Sequence, residues 1–182
     1  MQKRVNVYVF LSCLVMLAVC APTVTAQGET ARTPDVIYVP TPQSVVEAML
    51  RMANVGAGDI VYELGSGDGR IPITAVQQFN AVRAIGIDID PQRIKEANEN
   101  AVKAGVTDKV KFLNQDLFTS DFSEATVITL YLLSSLNDKL RPQLLKLKSG
   151  TRIVSHAFSM SEWTPEKTEM VDGRTIYFWT VP

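Results

Sequence analysis

Apolar and polar positions change period repeatedly along the 182-residue chain, and most of its organisation follows from those changes. Val45, Val46, Met49, Leu50 and Met52 recur at helical spacing. Thr41 stands where it can cap that helix, with Pro42 at the first helical position, and Gly56 and Gly58 close it. Asp59 to Leu64 is a short apolar run, which predicts a buried strand. The same reasoning predicts strands over 84–89, 110–113, 126–132 and 151–155, and helices over 71–79, 91–104 and 137–147. The helix over 91–104 opens on Pro91 and stops at Gly105, the usual asymmetry of helix ends. Lys167 to Val171 and Thr175 to Val181 flank Asp172-Gly173, a strong hairpin signal. Strands alternating with helices predict an α/β, Rossmann-like doubly wound sheet, mostly parallel, with a C-terminal antiparallel hairpin.

Ahead of residue 42 the pattern differs. Lys3 and Arg4 precede an almost unbroken apolar run from Val5 to Ala21, and small residues stand at Val24-Thr-Ala26. This is the grammar of a signal peptide over residues 1–26, or of an uncleaved N-terminal anchor. Either reading places the domain outside the cytoplasm, exported (periplasmic or secreted) or membrane-anchored, because Lys3 and Arg4 stay inside. The only contact expected with a membrane is through this segment. Residues 27–41 form a polar linker that runs into the proline-punctuated stretch Pro34-Asp-Val-Ile-Tyr-Val-Pro-Thr-Pro42, and 42–182 form one domain. Both cysteines, Cys13 and Cys20, lie in the first segment, so the domain must hold together without disulfides. A formal charge of -1 offers no basic excess, which argues against a nucleic-acid partner. No metal site is expected.

The chemistry concentrates in Val61-Tyr-Glu-Leu-Gly-Ser-Gly-Asp-Gly-Arg70, between the first predicted strand of the domain and a helix. Glycines let a ligand approach the backbone, and the following helix presents free N–H groups. The spacing is G-x-G-x-G rather than the dinucleotide G-x-G-x-x-G, and Glu63 and Asp68 would repel a pyrophosphate. Carboxylates there suit a ligand with an ammonium group and a sulfonium. Asp88, at the end of the second strand, offers two oxygens to two ribose hydroxyls. Asp116 follows the third strand and can meet an adenine amino group, with Leu117 and Phe118 beside the ring. Ammonium, ribose and adenine together describe S-adenosyl-L-methionine (SAM).

With those residues in place, the chain over 42–182 resembles the class I, seven-strand SAM-dependent methyltransferases. Glu63-Leu-Gly-Ser-Gly-Asp-Gly69 is similar to their first motif, Asp88 to their ribose acid and Gln115-Asp-Leu117 to their adenine segment. Tyr38-Val-Pro-Thr-Pro42, Leu64-Gly-Ser-Gly-Asp-Gly-Arg70 and the spacing from Phe158 to Trp163 resemble the small protein-lysine N-methyltransferases that include mitochondrial members. Leu136 to Phe158, above all Arg152-Ile-Val-Ser155, has a weaker likeness to the non-SET histone-lysine methyltransferases. The resemblance implies SAM as methyl donor, a protein lysine as acceptor, and cofactor contacts from Thr41, Glu63, Gly65, Ser66, Gly67, Gly69, Asp88, Asp116 and Leu117. It also implies a lid at Tyr38 and Thr41.

Candidate catalytic residues are Tyr38, Tyr131 and His156. Tyr131 ends the fourth strand, where many nitrogen-methylating class I enzymes carry Asn or Asp and prolines; two readings stand, an acceptor-channel wall or core. His156, the single histidine, ends the fifth strand and is read as structural or as a proton acceptor. Asp90 is read as the cap of the helix at Pro91, Asp68 and Arg70 as a local pair, and Met160, Trp163, Phe178 and Trp179 as packing residues. Two other functions stay open: methylation of a small molecule, or a non-catalytic exported domain that keeps the SAM-binding fold.

Overall fold

The computed structural model describes residues 33–182. The expected signal or anchor over 1–26, and the linker up to residue 32, lie outside the described residues. The elements in chain order are α1 (Gln43–Met52), β1 (Ile60–Leu64), α2 (Arg70–Phe79), β2 (Arg83–Asp88), α3 (Pro91–Ala104) and β3 (Val110–Asn114). There follow β4 (Val127–Leu130), α4 (Ser134–Leu144), β5 (Arg152–His156), β6 (Lys167–Val171) and β7 (Arg174–Thr180).

The strands form one seven-stranded sheet in the order β3-β2-β1-β4-β5-β7-β6. The first five pair in parallel, and β7 pairs antiparallel to both β5 and β6. Strand order reverses beside β1, which is where an open α/β sheet leaves a crevice at its carboxyl edge.

Alternation along each strand assigns side chains to two layers. Val61, Ala84, Val110, Val127 and Val154 pack with the apolar faces of α1, α2 and α3. Tyr62, Leu64, Ile85, Ile128, Leu130 and Ile153 face the opposite layer, built from Leu140 and Leu144 of α4 and from Phe122 and Ala125 of the β3–β4 connection. Met160, Trp163 and Trp179 complete that second layer. The Trp179 Nε1–H donates to the Trp163 carbonyl at 2.7 Å, so the fully buried indole keeps its polar edge satisfied.

Several boundaries depart from the sequence pattern. Thr41 does not cap α1: Pro42 holds the cap position with no side-chain bond, and the Thr41 hydroxyl turns to His156. Asn54, not Gly56 or Gly58, stops α1. It takes a positive φ of 47°, with Asn54 N–H donating to the Arg51 carbonyl and Val55 N–H to the Leu50 carbonyl, a Schellman closure. Strand β4 ends at Leu130 instead of 132, because the chain leaves the sheet there. Helix α4 starts at Ser134 and ends at Leu144, three residues early at each end against 137–147. Pro142 leaves the Asp138 carbonyl without its in-helix donor, and the chain tightens into i→i+3 bonds over 146–147.

Candidate active site

A cavity of about 490 Å³ opens over the carboxyl ends of β1 to β4. Its walls come from the glycine loop after β1, from Asp88 to Asp90 after β2, from Asp116 to Phe118 after β3, and from Tyr131 and Leu132 after β4. The extended segment 33–41 lies across it as a strap.

The glycine loop is shaped by close approach. Gly65, Gly67 and Gly69 have positive φ of 87°, 52° and 79°. A Cβ on Gly69 would lie 2.3 Å from the Phe112 ring, so this glycine serves the packing of α2 on the sheet. A Cβ on Gly67 would lie 2.4 Å from the Tyr38 ring, so that one lets the strap settle onto the loop. The Arg93 guanidinium stands 4.8 Å from the centroid of the same Tyr38 ring.

Glu63 is buried at the end of β1, and its Oε2 has no hydrogen-bond partner. Burial lifts its carboxyl well above the usual carboxylate range; the charges of Asp68 and Asp88 add to the rise and Arg70 opposes it. The Ser66 hydroxyl beside it is buried and unpartnered as well. Asp88 is held by two backbone donors, Gly67 N–H to Oδ2 at 2.8 Å and Asp90 N–H to Oδ1 at 2.9 Å, which fixes its plane at the cavity. Asp116 Oδ1 accepts from Phe118 N–H at 2.9 Å, and the Lys139 Nζ sits 3.7 Å from the centroid of the Phe118 ring.

Asp68 and Arg70 do pair, with Arg70 Nε 2.9 Å from Asp68 Oδ1. Burial alone would raise the Asp68 carboxyl, but the Arg70 guanidinium outweighs it and holds the group below its ordinary value. Arg70 also donates from Nη1 to the Thr41 carbonyl at 2.8 Å, which fastens the strap to the loop.

Every cofactor residue expected from the sequence except Gly69 lines the cavity: Thr41, Glu63, Gly65, Ser66, Gly67, Asp88, Asp116 and Leu117. Tyr38 and Tyr131 line it too. His156 does not; it is buried behind Tyr131, ring centroids 3.8 Å apart, with Nδ1 3.1 Å from the Thr41 hydroxyl and Nε2 without a partner. Burial, helped by the Arg174 charge, pushes its pKa down to about 4. Arg93 and Leu136 also line the cavity and escape the sequence reading. The i+3 spacing of Arg93 from the capping Asp90 is the signal that would find it. Asp90 does cap α3, accepting from Gln92 N–H at 2.8 Å.

SAM fits this constellation. The buried Glu63 carboxyl, with Oε2 unpartnered, and the buried Ser66 hydroxyl stand at the glycine loop, where a cation with donors would satisfy them. Asp88 offers acceptors one strand over, and Leu117 and Phe118 give an apolar slot beside Asp116. Comparisons with known proteins agree. The profile of the ANTKMT methyltransferase domain matches residues 63–167. A protein-lysine N-methyltransferase of Saccharolobus islandicus is 46% identical over 153 residues, 81% of this chain and 95% of the relative. The adenine nucleotide translocase lysine N-methyltransferase of Mus musculus is 31% identical over 132 residues, 70% of this chain and 56% of its own length. The crystal structure of a Salinibacter ruber RNA methyltransferase with S-adenosyl-L-homocysteine is 53% identical, with a TM-score of 0.77, over 79% of this chain and 94% of that one. The chain therefore belongs to the ANTKMT methyltransferase domain family and is a class I SAM-dependent methyltransferase.

Proposed function

We propose that this enzyme methylates the ε-amine of lysine in a protein. The observation that carries the reading is the likeness to the Saccharolobus protein-lysine N-methyltransferase over nearly that protein's whole length. The Salinibacter relative bears an RNA name, but a net charge of -1 and a pI near 5.9 leave no basic excess to follow a phosphate backbone.

SAM, when bound, supplies a methyl group already activated by its sulfonium, so the protein's task is to align and desolvate. Glu63 and Ser66 would hold the amino-acid end, Asp88 the ribose, and Asp116 with Leu117 the base. Such alignment of two reactants is worth roughly 7–11 kcal/mol of barrier. The acceptor amine has an ordinary pKa of about 10.4 and must lose its proton first. Tyr38, Tyr131, Leu132 and Leu136 line the cavity with aromatic and apolar surface, which favours the neutral amine by desolvation. His156, with a pKa near 4 and Tyr131 between it and the cavity, is a poor base at neutral pH. The reading therefore needs no dedicated base, and the rate should climb with pH as free lysine deprotonates.

The test is transfer of labelled methyl from SAM to protein, RNA and small-molecule pools, with modified residues located by mass spectrometry. Methyl-lysine in protein, at a rate rising between neutral and alkaline pH, is expected. Label confined to RNA or to small molecules would overturn the lysine reading, and SAM binding without transfer to any pool would mark a non-catalytic domain.

We further propose, from residues 1–26, that the chain is exported or held at a membrane by that segment. Mass spectrometry of the N-terminus after cell fractionation checks this; an intact Met1 in the soluble cytoplasmic fraction would refute it.

A further inference from the structure

Thr41 is gripped from two sides. Its carbonyl accepts from Arg70 Nη1 at 2.8 Å, on the glycine-loop side. Its hydroxyl meets His156 Nδ1 at 3.1 Å, at the end of β5. Both Thr41 and His156 are buried, whereas residues 33–35 and 37–40 of the strap are exposed. Thr41 is the strap's anchor at its C-terminal end, and Val36 packs further along on the second layer of the core. Beyond it, Tyr38 is seated between Gly67 and Arg93, over the loop where Asp88 takes the Gly67 N–H.

His156 is held in a way that costs backbone freedom. Ala157 has a positive φ of 63°, and Phe158 N–H donates back to the His156 carbonyl at 2.8 Å, a tight turn of three residues. Tyr131 packs tilted against His156 and stacks on Phe158, with centroids 3.8 and 6.2 Å away. A strained turn persists only where its surroundings over-determine it. Here the imidazole it presents has one partner for its two nitrogens, and that partner is Thr41. The histidine is the single one of the chain and does not reach the cavity.

We infer that His156 is a positioning residue for the methyl-donor site, acting through the Thr41 hydroxyl to hold the strap and its Tyr38 over the glycine loop. Arg70 grips the same residue from the loop, so donor binding and strap closure share one joint. Loss of the His156–Thr41 bond loosens the strap at that joint, where Arg70 alone still holds Thr41, and the cost is read as donor affinity although His156 does not line the cavity.

The experiment measures S-adenosyl-L-homocysteine binding by calorimetry for Thr41→Val, Thr41→Ser, His156→Phe and the double variant Thr41→Val/His156→Phe. One hydrogen bond corresponds to about a 3- to 10-fold change in Kd. Thr41→Val and His156→Phe should each weaken binding by that factor, Thr41→Ser should weaken it less than Thr41→Val, and the double variant should be no weaker than either single one. Chymotrypsin cleavage at Tyr38, slowed by the ligand in the wild type, should lose that protection in Thr41→Val. In turnover, KM for SAM should rise with kcat little changed, a split that general destabilisation does not give. Wild-type Kd in Thr41→Val, or single effects that multiply in the double variant, would overturn the inference. Should His156→Phe fail to fold, His156→Leu, which also lacks a ring nitrogen, takes its place in the cycle with Thr41→Val, and the same non-additivity decides.

Discussion

Glu63 shows at the scale of one residue how function is set against stability. A carboxyl buried without a partner is a cost to the ligand-free fold and an asset once a cation arrives. Its pKa is raised in the fold, so its contribution favours folding below the ordinary carboxylate range and is lost as pH rises toward the raised value. Glu63→Gln should therefore raise the melting temperature of the ligand-free protein near neutral pH while weakening S-adenosyl-L-homocysteine binding by about 10- to 100-fold, the worth of a hydrogen bond to a charged group. Melting curves and calorimetry check both halves; unchanged affinity would remove Glu63 from the site. The type of this residue and its place after an apolar run are legible in the sequence. That its Oε2 is unpartnered is not, because partners come from elements distant in the chain.

Elements are legible in proportion to how locally they are determined. Helix α3 matches its predicted limits, Pro91–Ala104, because cap, proline and terminal glycine all lie within it or next to it. Asp90→Ala should cost about 1 kcal/mol of stability, measured by urea unfolding, since one N-terminal N–H loses its acceptor. An unchanged midpoint would mean that the cap bond is not formed in solution. Strand β4 departs from the sequence pattern at its end because neighbours decide it, and helix α4 because of a residue of its own. β4 runs only as far as the ladders it shares with β1 and β5, and α4 yields to Pro142 in its own last turns. Thr41 departs from it for a related reason. A Thr ahead of a Pro suggests a cap, yet its hydroxyl finds a better partner 115 residues away.

The whole molecule inherits a pH response from the seam where its strap meets β5. His156 is buried neutral, with a folded pKa near 4 against about 6.5 for the free side chain. Its contribution is complete above the unfolded value and is lost as pH falls through that window toward 4, by up to roughly 3 kcal/mol. His156→Gln should flatten this part of the stability profile; urea unfolding at pH 7 and pH 4.5 measures it, and an equal acid loss in wild type and variant would refute it. The sequence by itself determined the alternation of strands and helices, the glycine loop, and the acids at successive strand ends, since each is written in local periodicity and residue type. Only the tertiary structure decided that the segment before α1 folds over that loop, that Arg70 and His156 meet at Thr41, and that Tyr131 walls the histidine from the cavity. Those are contacts between parts of the chain with no shared period, and only the packing of one sheet edge brings them within reach.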